Sequence, residues 1–259
     1  TTSSAASDVY KRQERDDVKK FIDLAVEESN LTREEIIDYI KDAQPSPKAV
    51  ELRSNQPEVK ATWDDYRSKR VTDTRILNGV NFINENADIF NKVEKDYGVS
   101  KFYIASIIGL ETNYGGYLGS FNPLDTIFTR AFDPDSKFWQ RELIALLVLS
   151  KRYGLNPKEI KSSWSGAIGL GQFIPSSYNA YGVDYDYDGY VDLLNSKMDG
   201  IASVANFLKV HGWNSNQPAA AQVALSQEYS NLNDEQIDEL EFPFKINNFR
   251  TKVSPDALN

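Results

Sequence analysis

SIIGLETNYGG, residues 106–116, closes an apolar run with one carboxylate and then stops in two glycines. Taken as a helix that begins near Ser100, it puts Ile104, Ile107 and Ile108 at i, i+3 and i+4, and the next position on that stripe is Glu111. The spacing predicts a glutamate aimed inward. Glutamate is rarely buried unless it is paired or its pKa is raised, and a raised pKa suits a general acid working near neutral pH. The competing reading is a helix end at which Glu111 simply meets water, and the rest of the chain has to decide between the two.

The whole chain narrows the field. With 259 residues, 41% of them apolar and 26% charged, it is long enough for one large domain or two lobes with a real core. A formal charge of -9 supplies no basic field for phosphates, so nucleic acid is not an expected partner. The absence of cysteine removes disulfides, thiolate metal sites and cysteine nucleophiles. No apolar run approaches the roughly 20 residues that span a bilayer, and no signal peptide precedes the fold, so an exported protein would carry its address outside this chain. DVYKRQ, residues 8–13, is also what one reading frame of a common sequencing-transposon end encodes. Residues 1–13 are therefore expected to be a non-native or disordered leader.

Most of the remainder has helical periodicity. Val18, Phe21, Ile22 and Ala25 share one face, and Thr32 with Glu35 forms a capping box before a helix that ends ahead of Pro45 and Pro47. From about Thr72, Ile76, Val80, Ile83, Ala87, Phe90, Val93 and Tyr97 predict one long helix ending at Gly98. DSKFWQRELIALLVLSKRYG predicts a buried helix closed by Gly154, with Asn156 and Pro157 opening a successor. Residues 197–212 predict another helix, and FPFKINNF, residues 242–249, is the best strand candidate. The expected fold class is mainly α.

Two further stretches carry chemistry. SSWSGAIGLGQFIPSSYNAYG, residues 162–182, has glycines that permit tight turns, but no Lys-Ser/Thr pair follows and no strand precedes, which excludes a P-loop and a dinucleotide site. What remains is a bend presenting Gln172 and Phe173 among Ser163, Trp164, Tyr178 and Tyr181. Hydroxyls, an amide and aromatic faces suit a sugar-binding groove; close helix packing around glycines is the alternative. DYDYDGYVDLLN, residues 184–195, sets carboxylates at loop positions 1, 3, 5 and 9 with Gly189 at position 6, which is calcium-loop spacing. Asp184, Asp186, Asp188, the carbonyl of Tyr190 and Asn195 are the expected ligands. Asn195 replaces the usual bidentate glutamate, so the affinity should be weak, and the ion should be structural. An acidic solvated turn is the alternative.

Other chemistries have little support. His211, the single histidine, sits at a helix end where an imidazole caps carbonyls, and no GxSxG elbow exists. Glu142 could be recruited by a two-carboxylate glycosidase, although a salt-bridged or solvated glutamate is the ordinary outcome. Trp139, Trp164 and Trp213 could stack on sugars or pack in a core.

The ordered set ETNYGG (111–116), SGAIGLGQFIPSSY (165–178), the acidic loop and SVANFLKVHGW (203–213), with PEVKATWDDYRSKRV (57–71) ahead of them, resembles the membrane-bound lytic murein transglycosylase B family. The resemblance runs from about residue 17 to about 213. It implies a lysozyme-like, mainly α catalytic core with an added helical lobe and a little β structure. It also implies cleavage of peptidoglycan glycan strands between N-acetylmuramic acid and N-acetylglucosamine without water, giving a 1,6-anhydro sugar. Glu111 corresponds to the family's single acid/base and Ser163 to the hydroxyl that orients it. Gln172 and Phe173 correspond to residues that contact the glycan, and Asn206 with Phe207 to a further groove-wall pair. The implied location is the periplasm or outer membrane, where other cell-wall enzymes are possible partners. Two departures stand out: Asn195, and the absence after Trp213 of a match to the family's C-terminal Tyr-Asn segment, so residues 14–259 form a domain expected to lack that segment. A peptidoglycan-binding protein that does not cleave, and a lysozyme-type hydrolase, are the alternatives.

Overall fold

The computed structural model describes residues 15–54, 62–132 and 136–217. The expected leader at 1–13, the strand candidate at 242–249 and the tail in which the Tyr-Asn segment was sought lie outside the described residues. The chain divides into Thr1–Ser215 and Asn216–Asn259, and every element below belongs to the first unit.

Helix α1 (Asp16–Glu28) buries the four residues of its expected face, Val18, Phe21, Ile22 and Ala25. Helix α2 (Arg33–Ile40) opens with the expected capping box: Glu35 N donates to Thr32 Oγ1 at 3.2 Å, and Thr32 N donates to Glu35 Oε2 at 2.8 Å. Pro47 begins a helix, α3 (Pro47–Ser54), because proline's fixed φ and missing N–H are harmless in a first turn. Helix α4 (Trp63–Arg70) follows, capped by Thr62.

The long helix expected from Thr72 is two, α5 (Asp73–Glu85) and α6 (Ala87–Tyr97), broken at Asn86. Asn86 leaves helical geometry at φ -118°, and both its backbone N, at 3.2 Å, and its buried side-chain Nδ2, at 2.7 Å, donate to Phe82 O, which ties the break back onto the last turn of α5. The expected stripe of α5 is also displaced. Ile76 and Val80 are 53% and 50% exposed, whereas Gly79 and Phe82 face the core. Helix α7 (Lys101–Thr112) starts at Ser100 as predicted.

Helix α8 (Pro123–Phe132) is buried at every position except Asp125, and α9 (Lys137–Tyr153) runs beside it to Gly154, whose φ of 61° closes the helix. The successor helix expected at Asn156 is a single turn, with Lys158 N donating to Asn156 Oδ1 at 3.1 Å. Ile160 is buried and draws the chain toward an extended path at Ser162. Helices α10 (Pro175–Tyr181) and α11 (Lys197–Val210) complete the set. Among the described residues, β structure is confined to isolated antiparallel bridges: Phe121 to Ser162, Ser162 to Ile168, and Ile168 to Phe173. These bridges lay the glycine-rich stretch beside the exit of α7. One apolar cluster joins the helices, and Phe21 meets Phe132 edge-on at 5.5 Å where α1 docks on α8. The class is mainly α with a little β structure, as expected.

Candidate active-site cleft and acidic loop

The exit of α7 explains the glycines and asparagine that follow the carboxylate. Asn113 and Tyr114 both take left-handed backbone conformations, φ 50° and 62°, so the chain reverses abruptly and folds the Tyr114 ring back over the helix. That ring enters a slot that exists because two neighbours lack side chains. A Cβ on Gly109 would lie 2.5 Å from the ring, and one on Gly79 of α5 would lie 2.6 Å from its hydroxyl oxygen. Tyr114 then donates to Arg75 O at 3.0 Å, which locks α5 to α7.

The inward-facing residue at this helix end is Thr112, not Glu111. Ile104, Ala105, Ile108, Gly109 and Thr112 form the buried face, and Thr112 Oγ1 donates to Leu170 O at 3.0 Å while accepting from Gly115 N at 3.0 Å. Glu111, one residue earlier, is rotated onto the flank and opens into a cleft of about 490 Å³. The expectation of a carboxylate on the core stripe is corrected in this respect. Glu111 lies i+4 from Ile107, a member of the expected stripe that is itself only half buried.

The cleft gathers distant parts of the chain. Tyr66 and Arg70 come from α4, Tyr117 and Phe121 from the segment after α7, and Ser163, Trp164 and Gln172 from the glycine-rich stretch. Glu111 is the single acid among its described lining residues. The protein mass around the carboxyl impairs solvation of its charge and raises its pKa, and the nearby Arg70 guanidinium pulls in the opposite direction without cancelling the rise. Among the described residues no hydrogen bond holds the Glu111 carboxyl, which leaves it open to a ligand in the cleft.

Ser163 and Gln172 stand in this cleft. Ser163 Oγ accepts from Ser165 N at 3.2 Å and Ala167 N at 3.1 Å and pairs with Ser165 Oγ at 2.9 Å, so in this structure it organises its own turn. Gln172 has φ 50° and donates through Nε2 to Gly169 O at 2.9 Å. The remaining expected glycan contacts lie outside the cleft lining. Phe173 is 7% exposed and packs edge-on against Phe207 at 5.9 Å, and Phe207 in turn packs on Tyr181 and His211. Asn206 donates to Tyr181 O at 2.9 Å. Tyr178 is 1% exposed, donates to Val191 O at 2.8 Å and accepts from Leu193 N at 3.0 Å; it is a structural strut between α10 and the acidic loop. An aromatic beside a glycine bend fits either role from sequence, and burial decides for Tyr178.

Glu142 is not a second carboxylate of this cleft. It is 3% exposed on α9, and both its oxygens accept from Ser176, from the backbone N at 3.0 Å and from Oγ at 2.6 Å, at the first turn of α10. Its removal would empty the buried space that the Glu142 side chain fills on α9 and take the shared partner from Ser176 N and Oγ at a helix start. Glu142→Ala is expected to lower unfolding free energy by about 3 kcal/mol in urea titration, against less than about 1 kcal/mol for an exposed glutamate such as Glu85.

The acidic loop has a convergent donor set. Carboxylate oxygens of Asp184, Asp186 and Asp188 lie within 4.8 Å of one another. Backbone amides hold them in place: Gly189 N donates to Asp184 Oδ2 at 2.9 Å and Tyr190 N to Asp188 Oδ1 at 2.8 Å. Gly189, at φ 95°, makes the turn. Asn195 faces Asp192, to which its Nδ2 donates at 3.0 Å, so its amide nitrogen is engaged there. Buried Asp199 ties both ends of the loop, accepting from Tyr185 N and Asp192 N, each at 2.8 Å. Three hard oxygen donors on alternate residues fit a cation of the calcium class.

Residues 13–251 match the family model described as transglycosylase SLT domain. The chain belongs to that family. It is 33% identical over 206 residues to the membrane-bound lytic murein transglycosylase B of Escherichia coli (strain K12), a match that covers 75% of this chain and spans only 57% of that relative's length. Two solved structures share the fold. Catenated lytic transglycosylase SltB1 from Pseudomonas aeruginosa is 33% identical with a TM-score of 0.76, over 80% of this chain and 69% of that one. Escherichia coli Slt35, solved in complex with calcium, is 32% identical with a TM-score of 0.72, over 79% and 66%. The fold of this SLT domain is therefore that of the lysozyme-like lytic transglycosylases, as the resemblance implied.

In this SLT domain, Tyr66, Arg70, Tyr117 and Thr112 escaped the residue-by-residue reading. Tyr66 and Arg70 lie in a short polar helix with no apolar stripe, and Tyr117 stands alone after the glycines. The WDDYRSKR stretch, noted as part of the resemblance, was the available signal for the first two.

Proposed function

We propose that this SLT domain cleaves the N-acetylmuramic acid to N-acetylglucosamine bond of peptidoglycan without water, with Glu111 as the one acid and base. The observation that supports this is the single acid in the cleft, a carboxyl with a raised pKa and no competing hydrogen bond among the described residues. Protonated Glu111 gives its proton to the glycosidic oxygen as the C1–O bond breaks, and the carbonyl oxygen of the substrate's own 2-acetamido group stabilises C1. The resulting carboxylate then takes the proton of the muramic C6 hydroxyl while O6 bonds to C1. Glu111 ends protonated, and the product is a 1,6-anhydro end. A hydrolase working through two carboxylates finds no second carboxylate among the described lining residues, and Glu142 is held by Ser176.

Ser163 and Gln172 bind the glycan in this scheme, Ser163 by turning its hydroxyl from Ser165 to the acid. The substrate lies in the cell wall, so the protein works outside the cytoplasmic membrane. No helix among the described residues is long and apolar enough to cross a membrane. Mass spectrometry of digested sacculi tests the assignment: anhydromuropeptides are expected, reducing muramyl ends would make it a hydrolase, and intact strands would make it a binder.

Asp184, Asp186 and Asp188 with the Tyr190 carbonyl hold a structural calcium ion, Asn195 adding little charge. Millimolar calcium is expected to raise the melting temperature by several degrees and a chelator to reverse it, since an ion that binds only the folded loop stabilises by mass action. Identical melting curves with and without calcium would remove the ion from the account.

A further inference from the structure

Trp164 is half buried and forms part of the cleft wall that includes Glu111. Behind it lies Arg130, a residue of α8 that is 9% exposed. The guanidinium carbon of Arg130 is 3.7 Å from the centroid of the Trp139 ring and 5.2 Å from that of Trp164. A buried cation thus lies against two indole rings, one on helix α9 and one in the cleft. Trp139 is itself backed edge-on by Phe138 at 5.0 Å. Guanidinium is planar and weakly hydrated, which suits it to stacking on aromatic faces in a site closed to water.

The local chain explains why such a brace is useful. Trp164 lies in a turn whose backbone is fixed by Ser163, to which Ser165 N and Ala167 N donate. What the turn leaves undetermined is the rotation of the indole about its two side-chain torsions. A pyranose ring presents an apolar C–H face that stacks on an aromatic plane only over a narrow range of tilt, so a freely turning indole would lose entropy at each binding event.

We propose that Trp164 is the sugar-stacking platform of the cleft, taking one N-acetylhexosamine ring of a β-1,4-linked glycan, and that Arg130, clamped against Trp139, is the positioning residue that holds the platform at its working angle. The proposal rests on the glycan-cleaving function above and adds the contact by which the strand is gripped.

The probe is chitotetraose, four β-1,4-linked N-acetylglucosamine units, titrated by calorimetry and by tryptophan emission. The parallel readout is kcat and KM on soluble glycan strands. Trp164→Ala is expected to weaken chitotetraose binding about tenfold and to raise KM by a similar factor, because a stacking contact serves ground state and transition state alike. Trp164→Phe keeps most of the affinity but loses the emission change on binding. Arg130→Leu and Trp139→Leu each raise KM about threefold to tenfold, and Arg130→Lys recovers part of the loss. A purely structural Arg130 would instead lower the melting temperature with chitotetraose affinity unchanged. If the Arg130 variants fail to fold, the Trp164 and Trp139 variants decide. Unchanged affinity in Trp164→Ala, or an emission change that persists in Trp164→Phe, overturns the proposal. Failure of the wild type to cleave strands while it still binds chitotetraose through Trp164 would overturn the reaction and leave the platform standing.

Discussion

Glu111→Gln is expected to reduce cleavage of peptidoglycan by at least about 10³-fold while strands still bind and the fold persists. The size of the loss follows from the chemistry, since one carboxyl both delivers and recovers the proton and an amide can do neither. The sign of the stability change is also set. Because the folded protein raises the Glu111 pKa, the stability tied to its neutral form is complete below the ordinary glutamate pKa and is lost as pH rises through the raised value. At neutral pH the wild type therefore carries a small penalty that glutamine removes, small because the carboxyl is open to the cleft. The variant should melt no lower than the wild type at pH 7, and the two should converge near pH 4. Activity falls as pH rises through the same pKa, as the acid form is lost. Cleavage by Glu111→Gln at an ordinary rate would end the assignment.

The second large effect is expected at Gly119, in the cleft wall. Its φ is 100°, and a Cβ there would lie 1.9 Å from Ser162 O and 2.8 Å from Ser163 N, which is backbone and cannot swing aside. Ser162 exchanges two backbone hydrogen bonds with Phe121, at 2.9 and 3.1 Å, and the residues next to it are Ser163 and Trp164. Gly119→Ala should break this bridge, lower unfolding free energy by about 3 kcal/mol or more, and reduce glycan affinity as well. Gly154→Ala is the control. Its φ is 61°, but nothing lies within 4 Å of a Cβ there, so it should cost only about 1 kcal/mol and leave the cleft intact. Equal losses in the two variants, measured by urea unfolding, would show that backbone conformation and not the Ser162 contact sets the effect.

The parts of the fold that are legible in the sequence are those where local chemistry and tertiary demand agree. The α1 face, the Thr32–Glu35 box, the Ser100 start of α7 and the Gly154 stop of α9 all appear as expected. Legibility fails where tertiary packing overrides periodicity. Asn86 breaks a stripe that continues across it in sequence, and its side-chain amide folds back as a second donor to Phe82 O beside its own backbone N. Helix α8 carries a helical stripe in Leu124, Ile127, Phe128 and Ala131, but its polar side is buried as well, at Thr126, Thr129 and Arg130, because neighbouring elements surround it, and that burial is what spacing cannot reveal. Glu111, Ser163 and Gln172, singled out by their motifs, line one cleft, but helical spacing misjudged how Glu111 leaves its helix. Thr112 takes the inward position because its short hydroxyl can pair with Leu170 O across 58 residues, a demand that helical spacing cannot reveal. Phe173, Tyr178 and Phe207 have the residue types of a sugar groove, yet the first and third pack on each other and the second ties α10 to the acidic loop.

Cleavage without water depends on the state of one carboxyl group, and NMR titration of the Glu111 side-chain carboxyl carbon in selectively ¹³C-labelled protein measures it directly, with Glu111→Gln identifying the resonance. A midpoint above the ordinary glutamate range, moving higher still when Arg70→Leu removes the nearby positive charge, is the predicted result. A midpoint at or below that range would mean that the cleft holds a carboxylate where the reaction requires an acid.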